Sequence, residues 1–209
     1  ERGKCDGIYI TTTGVGVLPT ERQELHPRRI AVGDHILVNG TLGDHGVAIM
    51  ASRFDLKFAN PLLSDSCSLH FLIEGLLQKF SNIKYMQDPT RGGVAGTLNE
   101  IVESTGHSML LFEDKLPIRP PVRGACEILG LDPLNVANEG KVILFVPPSE
   151  SESVLAYLRS QPLAQQAQII GQVIATPSSS STPTLQLQTL YGGKRVITWA
   201  AGEPLPRIC

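Results

Sequence analysis

Hydrophobic and polar positions along this chain follow two periods, and each change of period marks an element. Residues 7–18, GIYITTTGVGVL, are β-branched and punctuated by glycine, the pattern of a strand. A second strand is predicted over 34–39, ending in the glycine-rich turn of VNGTLGDHG, where HGVAIMASRFD opens a helix. Over 66–80 the leucines and phenylalanines recur at helical spacing, with Ser66 or Ser68 placed to cap the N-terminus. IKYMQD reads as a short strand broken by Pro89, and 92–104 as a helix stopped by Gly106. The strand SMLLFED, the helix VRGACEILG ending at Gly130, the strand KVILFVPP, the helix SESVLAYLRS and the strand AQIIGQVIA follow. PSSSSTP is a polar, flexible connector, after which LQLQTL and RVITWA pair as a hairpin around YGGK. There is no internal repeat. Mixed elements closed by a hairpin rather than a βαβ unit predict an α+β fold, with helices covering one face of a mixed sheet.

Composition narrows the function classes. The chain has 209 residues, 42% hydrophobic and 18% charged, which suits a packed core rather than disorder. A formal net charge of −2 gives no basic footprint for nucleic acid or a membrane surface. No apolar run is long enough to span a bilayer. Cys5, Cys67, Cys126 and Cys209 are scattered without a CxxC pair, so neither a disulfide framework nor a zinc site is expected, and a reducing cytoplasm is the simplest setting. The chain opens with Glu1, close to a strand, and reads as the interior of a longer protein.

Four segments hold candidate chemistry. In VNGTLGDHG, Gly40, Gly43 and Gly46 allow close backbone approach, and the N–H groups of the following helix could bind an anion. The spacing matches neither a P-loop nor GxGxxG. His45 could act in a site or simply hydrogen-bond this turn. In MQDPTRGGVAGTLNEI, Asp88, Thr90 and Arg91 surround Pro89 ahead of Gly92 and Gly93 at a helix start. Asp88 could orient a base or bind a metal, Arg91 could hold a phosphate or carboxylate, and the double glycine favours close approach of a ligand. The same residues could be a capping turn. Asn99 and Glu100 are adjacent and diverge around the helix, so at most one faces a site. In NVANEGKVIL, Asn138, Glu139 and Gly140 turn into an apolar strand. A carboxylate desolvated there suits a general base, or is an ordinary turn glutamate. Finally, the chain ends in EPLPRIC: two prolines favour an extended arm that carries the Cys209 thiol off the body, over about 203–209. No residues follow the cysteine, so this is not a prenylation site.

GDHG, DPTRGG, ANEG and the terminal PRIC, in that order over essentially the whole chain, resemble the HypE family of hydrogenase maturation factors. DPTRGG and PRIC are the most specific of them. That family is part of the aminoimidazole ribonucleotide synthetase-like superfamily, with selenophosphate synthetase and thiamine monophosphate kinase. The resemblance implies that the carbamoyltransferase HypF loads a carbamoyl group onto Cys209. ATP then drives its dehydration to a thiocyanate, and the cyanide passes to iron on a HypC–HypD scaffold for nickel–iron hydrogenase. It further implies that Cys209 is the carrier and Glu139 the base. Asp88, Thr90, Arg91, Gly92, Gly93, His45 and Asn138 belong to the substrate and nucleotide region, and Arg2 or Lys4 lies near the tail. Family members bind ATP with magnesium, and form a homodimer, through an N-terminal domain. Residues 1–29 would be the remnant of that domain and its linker, and 30–209 the C-terminal domain. No metal is assigned to this chain, and the chain alone is expected to be inactive. A related ATP-dependent small-molecule synthetase or kinase, and a non-catalytic docking domain, are the alternative readings.

Overall fold

The computed structural model describes residues 11–18, 24–55, 58, 62–176 and 182–199. Among these, seven strands form one sheet: β1 His35–Val38, β2 Tyr85–Gln87, β3 Ser108–Phe112, β4 Ile143–Val146, β5 Gln168–Ile174, β6 Leu185–Gln188 and β7 Lys194–Ile197. Their spatial order is β2-β4-β1-β5-β3-β6-β7, antiparallel throughout except for the parallel pair β3–β6. β6 and β7 are the predicted closing hairpin, with Leu185 opposite Ile197. Beside the bulge between Ile36 and Leu37, Gly171 of β5 is required: a Cβ there would stand 2.4 Å from the Leu110 carbonyl oxygen.

Among the described residues, five helices flank the sheet: α1 Asp44–Arg53, α2 His70–Lys79, α3 Gly93–Thr105, α4 Pro120–Leu129 and α5 Pro148–Arg159. They cover both faces, not the single face expected. The reason lies in β1, where Ile36, Leu37 and Val38 are all buried. Successive side chains of a strand point to opposite faces, so an unbroken apolar run needs a cover on each side. Ile36 and Val38 pack with Val94, Leu98, Ile101 and Val102 of α3, whereas Leu37 packs with Leu72 and Leu76 of α2 and Val154 and Leu158 of α5. Each such fully buried aliphatic side chain contributes roughly 1.5–3 kcal/mol of transfer free energy. α1 and α4 share a smaller core of Val47, Met50, Val122, Ala125 and Cys126.

Helix ends follow the sequence signals in most places. Gly106 and Gly130 take left-handed conformations that stop α3 and α4, and Pro120 and Pro148 open α4 and α5. Neither Ser66 nor Ser68 caps α2. Its N-cap is Leu69, because the Ser68 hydroxyl is bonded to His70 Nδ1 at 2.7 Å and Ser66 N–H donates to Ser64 Oγ. The strand expected over 7–18 is not formed in its described part: residues 11–18 are exposed and outside the sheet, with Val15 and Val17 almost fully in solvent. A strand needs a pairing partner, and none of the described strands supplies one. Residues 7–10, and 177–181 of the polar connector, lie outside the described residues.

Candidate active site

Two loops meet at the end of the sheet and build a pocket. The first is the DPTRGG turn between β2 and α3, and the second is the NEGK turn that enters β4. Asn138 joins them. It is fully buried; its Nδ2 donates to the carbonyls of Pro89 and Val136, both at 3.0 Å, and its Oδ1 accepts from Gly43 N–H at 2.8 Å. One side chain thus fixes the turn before α1, the DPT segment and the NEG segment to each other. Its polar atoms are engaged internally, so it places the site rather than lining it.

The double glycine has a similar inward reason. Gly92 and Gly93 have φ of 72° and 62°, conformations that other residues adopt at a cost. A Cβ on Gly93 would stand 2.5 Å from the Leu134 carbonyl oxygen and 2.6 Å from that of Val136. The glycine therefore lets α3 begin against the backbone of the 134–136 segment. Packing therefore requires a glycine at 93, a reason visible only in the folded chain.

The resulting pocket has a volume of about 320 Å³ and is lined by Gln87, Asp88, Thr90, Arg91, Thr97, Glu100 and Glu139. Among the described residues it presents three carboxylates and one guanidinium. Asp88, Arg91 and Glu100 are exposed, so they can meet an incoming group. Glu139 is different. It is half-buried, and its Oε1 is buried with no hydrogen-bond partner among the described residues. A buried acceptor without a donor is costly. Of the adjacent pair on α3, Glu100 lines the pocket, while Asn99 faces inward and donates to the carbonyls of Ala95 and Ile197. Glu100 accepts from Gln87 Nε2 at 3.2 Å, and Gln87 Oε1 accepts from the Tyr85 hydroxyl at 3.0 Å. Burial, then the negative charges of Glu100 and Asp88, push the Tyr85 phenol above its usual value.

Two backbone donors of the GDHG turn are engaged within the chain. Gly43 N–H is bonded to Asn138 and Gly46 N–H to the Ala137 carbonyl. Asp44 already occupies the first turn of α1, held by Arg119 Nε at 2.7 Å and by the Thr41 hydroxyl. The chain thus places a carboxylate of its own at this helix start, paired with Arg119 and Thr41 rather than with the helix N–H groups. His45 does not line the pocket; its Nδ1 is bonded to Ser64 Oγ at 2.8 Å. Cys209, Arg2 and Lys4 lie outside the described residues. The last described segment nevertheless settles on the same helix: Trp199 Nε1 donates to Glu103 of α3 at 3.1 Å, beside Gly96. Gln87 and Thr97 were not anticipated. The spacing of Thr97 and Glu100 was the available signal, since residues three apart share a helix face.

No three His, Cys, Asp or Glu side chains among the described residues are grouped to hold a metal ion. No described helix is long and apolar enough to cross a membrane.

Comparison with known proteins places this geometry. The family model for AIR synthase related protein, C-terminal domain, matches residues 31–182. The chain belongs to that family. It is also similar over its whole length to the carbamoyl dehydratase HypE of Bradyrhizobium diazoefficiens, with 47% identity covering 100% of this chain and 59% of the relative. Among solved structures, Escherichia coli HypE superimposes with a TM-score of 0.85 at 41% identity, covering 93% of this chain and 58% of that one. A HypE in complex with ATP gives 0.82 at 39% identity, over 88% of this chain and 55% of that one. HypE in a HypE–HypF complex gives 0.77 at 38%, over 83% and 55%. The chain thus spans about three-fifths of the length of the curated relatives it matches.

Proposed function

We propose that this chain is the C-terminal part of an ATP-dependent carbamoyl dehydratase that acts in hydrogenase maturation. The observation that carries the reading is Glu139, which lines a pocket with Arg91 and has a buried Oε1 without a partner among the described residues, in a chain whose whole length is similar to HypE. In this reading HypF places a carbamoyl group on the Cys209 sulfur. The amide oxygen then takes the γ-phosphoryl group of ATP, releasing ADP and turning that oxygen into a good leaving group. Loss of phosphate and of the two amide protons forms the C≡N bond, leaving a thiocyanate on sulfur. Glu139 accepts a proton, and Arg91 is suited to the phosphoryl oxygens as they gain charge.

Chain length permits the delivery. Nine residues lie between Trp199 and Cys209, and an extended chain covers roughly 3.3–3.6 Å per residue. The thiol can therefore be brought from α3 into the pocket, or presented to a partner. The cyanide is passed to iron on a HypC–HypD scaffold, for the active site of nickel–iron hydrogenase. The full protein works in the cytoplasm as a homodimer whose ATP is accompanied by magnesium. The described residues group no set of three metal ligands for it.

The test is mass spectrometry of the C-terminal peptide of the full-length protein after incubation with HypF, carbamoyl phosphate and ATP. The expected result is gain of a carbamoyl group on Cys209 followed by loss of one water. In Glu139→Gln, loading should persist and the loss of water should not occur. An unmodified Cys209 with demonstrably active HypF would overturn the reading. Dehydration at the normal rate in Glu139→Gln would remove Glu139 from it.

A further inference from the structure

The segment of residues 62–69, which forms neither helix nor strand, lies across the turn that carries Glu139. Its contact is made by Asp65. Oδ1 accepts from the Glu139 backbone N–H at 3.2 Å, and Oδ2 is 2.7 Å from Lys141 Nζ. The second contact is an ion pair without hydrogen-bond angles, so charge alone holds Oδ2. Both side chains are more than nine-tenths buried, at 7% and 9% exposure. The fit is close: a Cβ on Gly140 would stand 1.9 Å from the Asp65 carbonyl oxygen and 2.6 Å from Cys67 Sγ. From the other side, Asn39 Nδ2 donates to the Gly140 carbonyl and Asn39 Oδ1 accepts from Val142 N–H. Lys141 runs along Gly40, 3.2 Å from where its Cβ would be.

A buried ion pair is a weak source of stability, because desolvation offsets most of its attraction. Its value here is geometric. The turn is held from both sides, at the Glu139 N–H by Asp65 and at the Gly140 carbonyl and Val142 N–H by Asn39, while Glu139 Oε1 has no partner among the described residues. We infer that Asp65 is a positioning residue for Glu139, and that Lys141 holds Asp65 in place to do it. This rests on the reading of Glu139 as the base. Asp65 touches no reacting atom; it fixes the backbone from which the carboxylate reaches into the pocket. A base displaced by even about 1 Å loses on the order of a hundredfold in rate.

Two double variants of the full-length protein separate positioning from stability. Asp65→Asn with Lys141→Met removes both charges yet keeps an oxygen for the Glu139 N–H. Asp65→Leu with Lys141→Met removes the charges and the acceptor together. Replacing both members of a buried pair by neutral groups is close to neutral for stability, so the first protein should melt near the wild type and the second only about 2–4 °C lower, for the one hydrogen bond lost at the Glu139 N–H. Carbamoyl loading of Cys209 by HypF should be unchanged in both. The dehydration kcat should survive in the first pair and fall roughly ten- to a hundredfold in the second, with KM for ATP unchanged. Hydrogen exchange at the Glu139 amide, faster only in the second pair, gives a readout independent of turnover. It also decides the question in Gly140→Ala, should the leucine variant not fold. Wild-type dehydration in the second pair, or equal protection of that amide, would overturn the inference. If Glu139→Gln is fully active, the base reading fails instead, which the same assay shows separately.

Discussion

Replacing Gly93 by alanine tests whether the glycine of the DPTRGG turn serves packing or ligand approach. Two costs are expected. The left-handed backbone at φ 62° penalises an L side chain by about 1–2 kcal/mol. The new methyl group would also stand 2.5, 2.6 and 2.9 Å from backbone atoms of Leu134, Val136 and Asn135. Forcing atoms into a packed region costs typically about 1–3 kcal/mol. Gly106→Ala supplies the control, because Gly106 has a similar φ of 71° with nothing within 4 Å of a Cβ. The two variants share the backbone cost and differ in the contact. For a chain of this size each kcal/mol lowers Tm by about 2–4 °C, so Gly93→Ala should melt about 2–12 °C below Gly106→Ala. Thermal unfolding followed by circular dichroism measures both. Equal melting temperatures would show that the 134–136 segment gives way freely, and that packing is not why a glycine stands there.

Two further outcomes follow from buried groups. Asn138→Ala removes three hydrogen bonds and leaves Gly43 N–H without its acceptor; at roughly 1 kcal/mol for each bond, urea unfolding should show a loss of about 3 kcal/mol. Cys126 is buried, and desolvation first, then Asp132, with Arg123 opposing and Glu127 adding, pushes its thiol up to about 11 from 9.0. The neutral thiol is therefore favoured by folding. The advantage is complete below about pH 9 and is lost as pH rises towards about 11. The stability gap between wild type and Cys126→Ala should narrow across that window, and a constant gap would exclude the burial effect.

Where the sequence could be read, the controlling physics was local. β4 and β5 show as apolar runs, and α3 and α4 are bounded by left-handed glycines whose stops need no distant partner. The α2 cap failed because Ser68 found a better partner in the ring of His70, a choice between neighbours that propensity does not rank. The two-sided burial of β1 was written in Ile36-Leu37-Val38, which alternation would have assigned to one face. In the site, Asp88, Thr90, Arg91 and Glu139 were legible as polar residues in glycine-rich turns, and the structure brings them to one pocket. The contact between Asp65 and Lys141 was not legible. It joins segments far apart in sequence, and an aspartate among serines carries no local mark of the lysine it will meet. Gly93 was visible, but its contact with 134–136 exists only after folding.

The strand order also governs when this chain can fold. β1 sits between β4 and β5, whose residues follow it by roughly a hundred positions or more. A ribosome adding about 5–20 residues per second will therefore expose an apolar strand with two unsatisfied edges for several seconds before either neighbour emerges. Asp34, His35 and Asn39 border the Ile36-Leu37-Val38 run, and polar residues flanking an apolar strand discourage mispairing while it is exposed. The same Asp34 later pairs with Lys84, and Asn39 later clamps the turn beneath Glu139. Polar groups at both ends of this strand thus have native partners that lie well beyond it in the sequence.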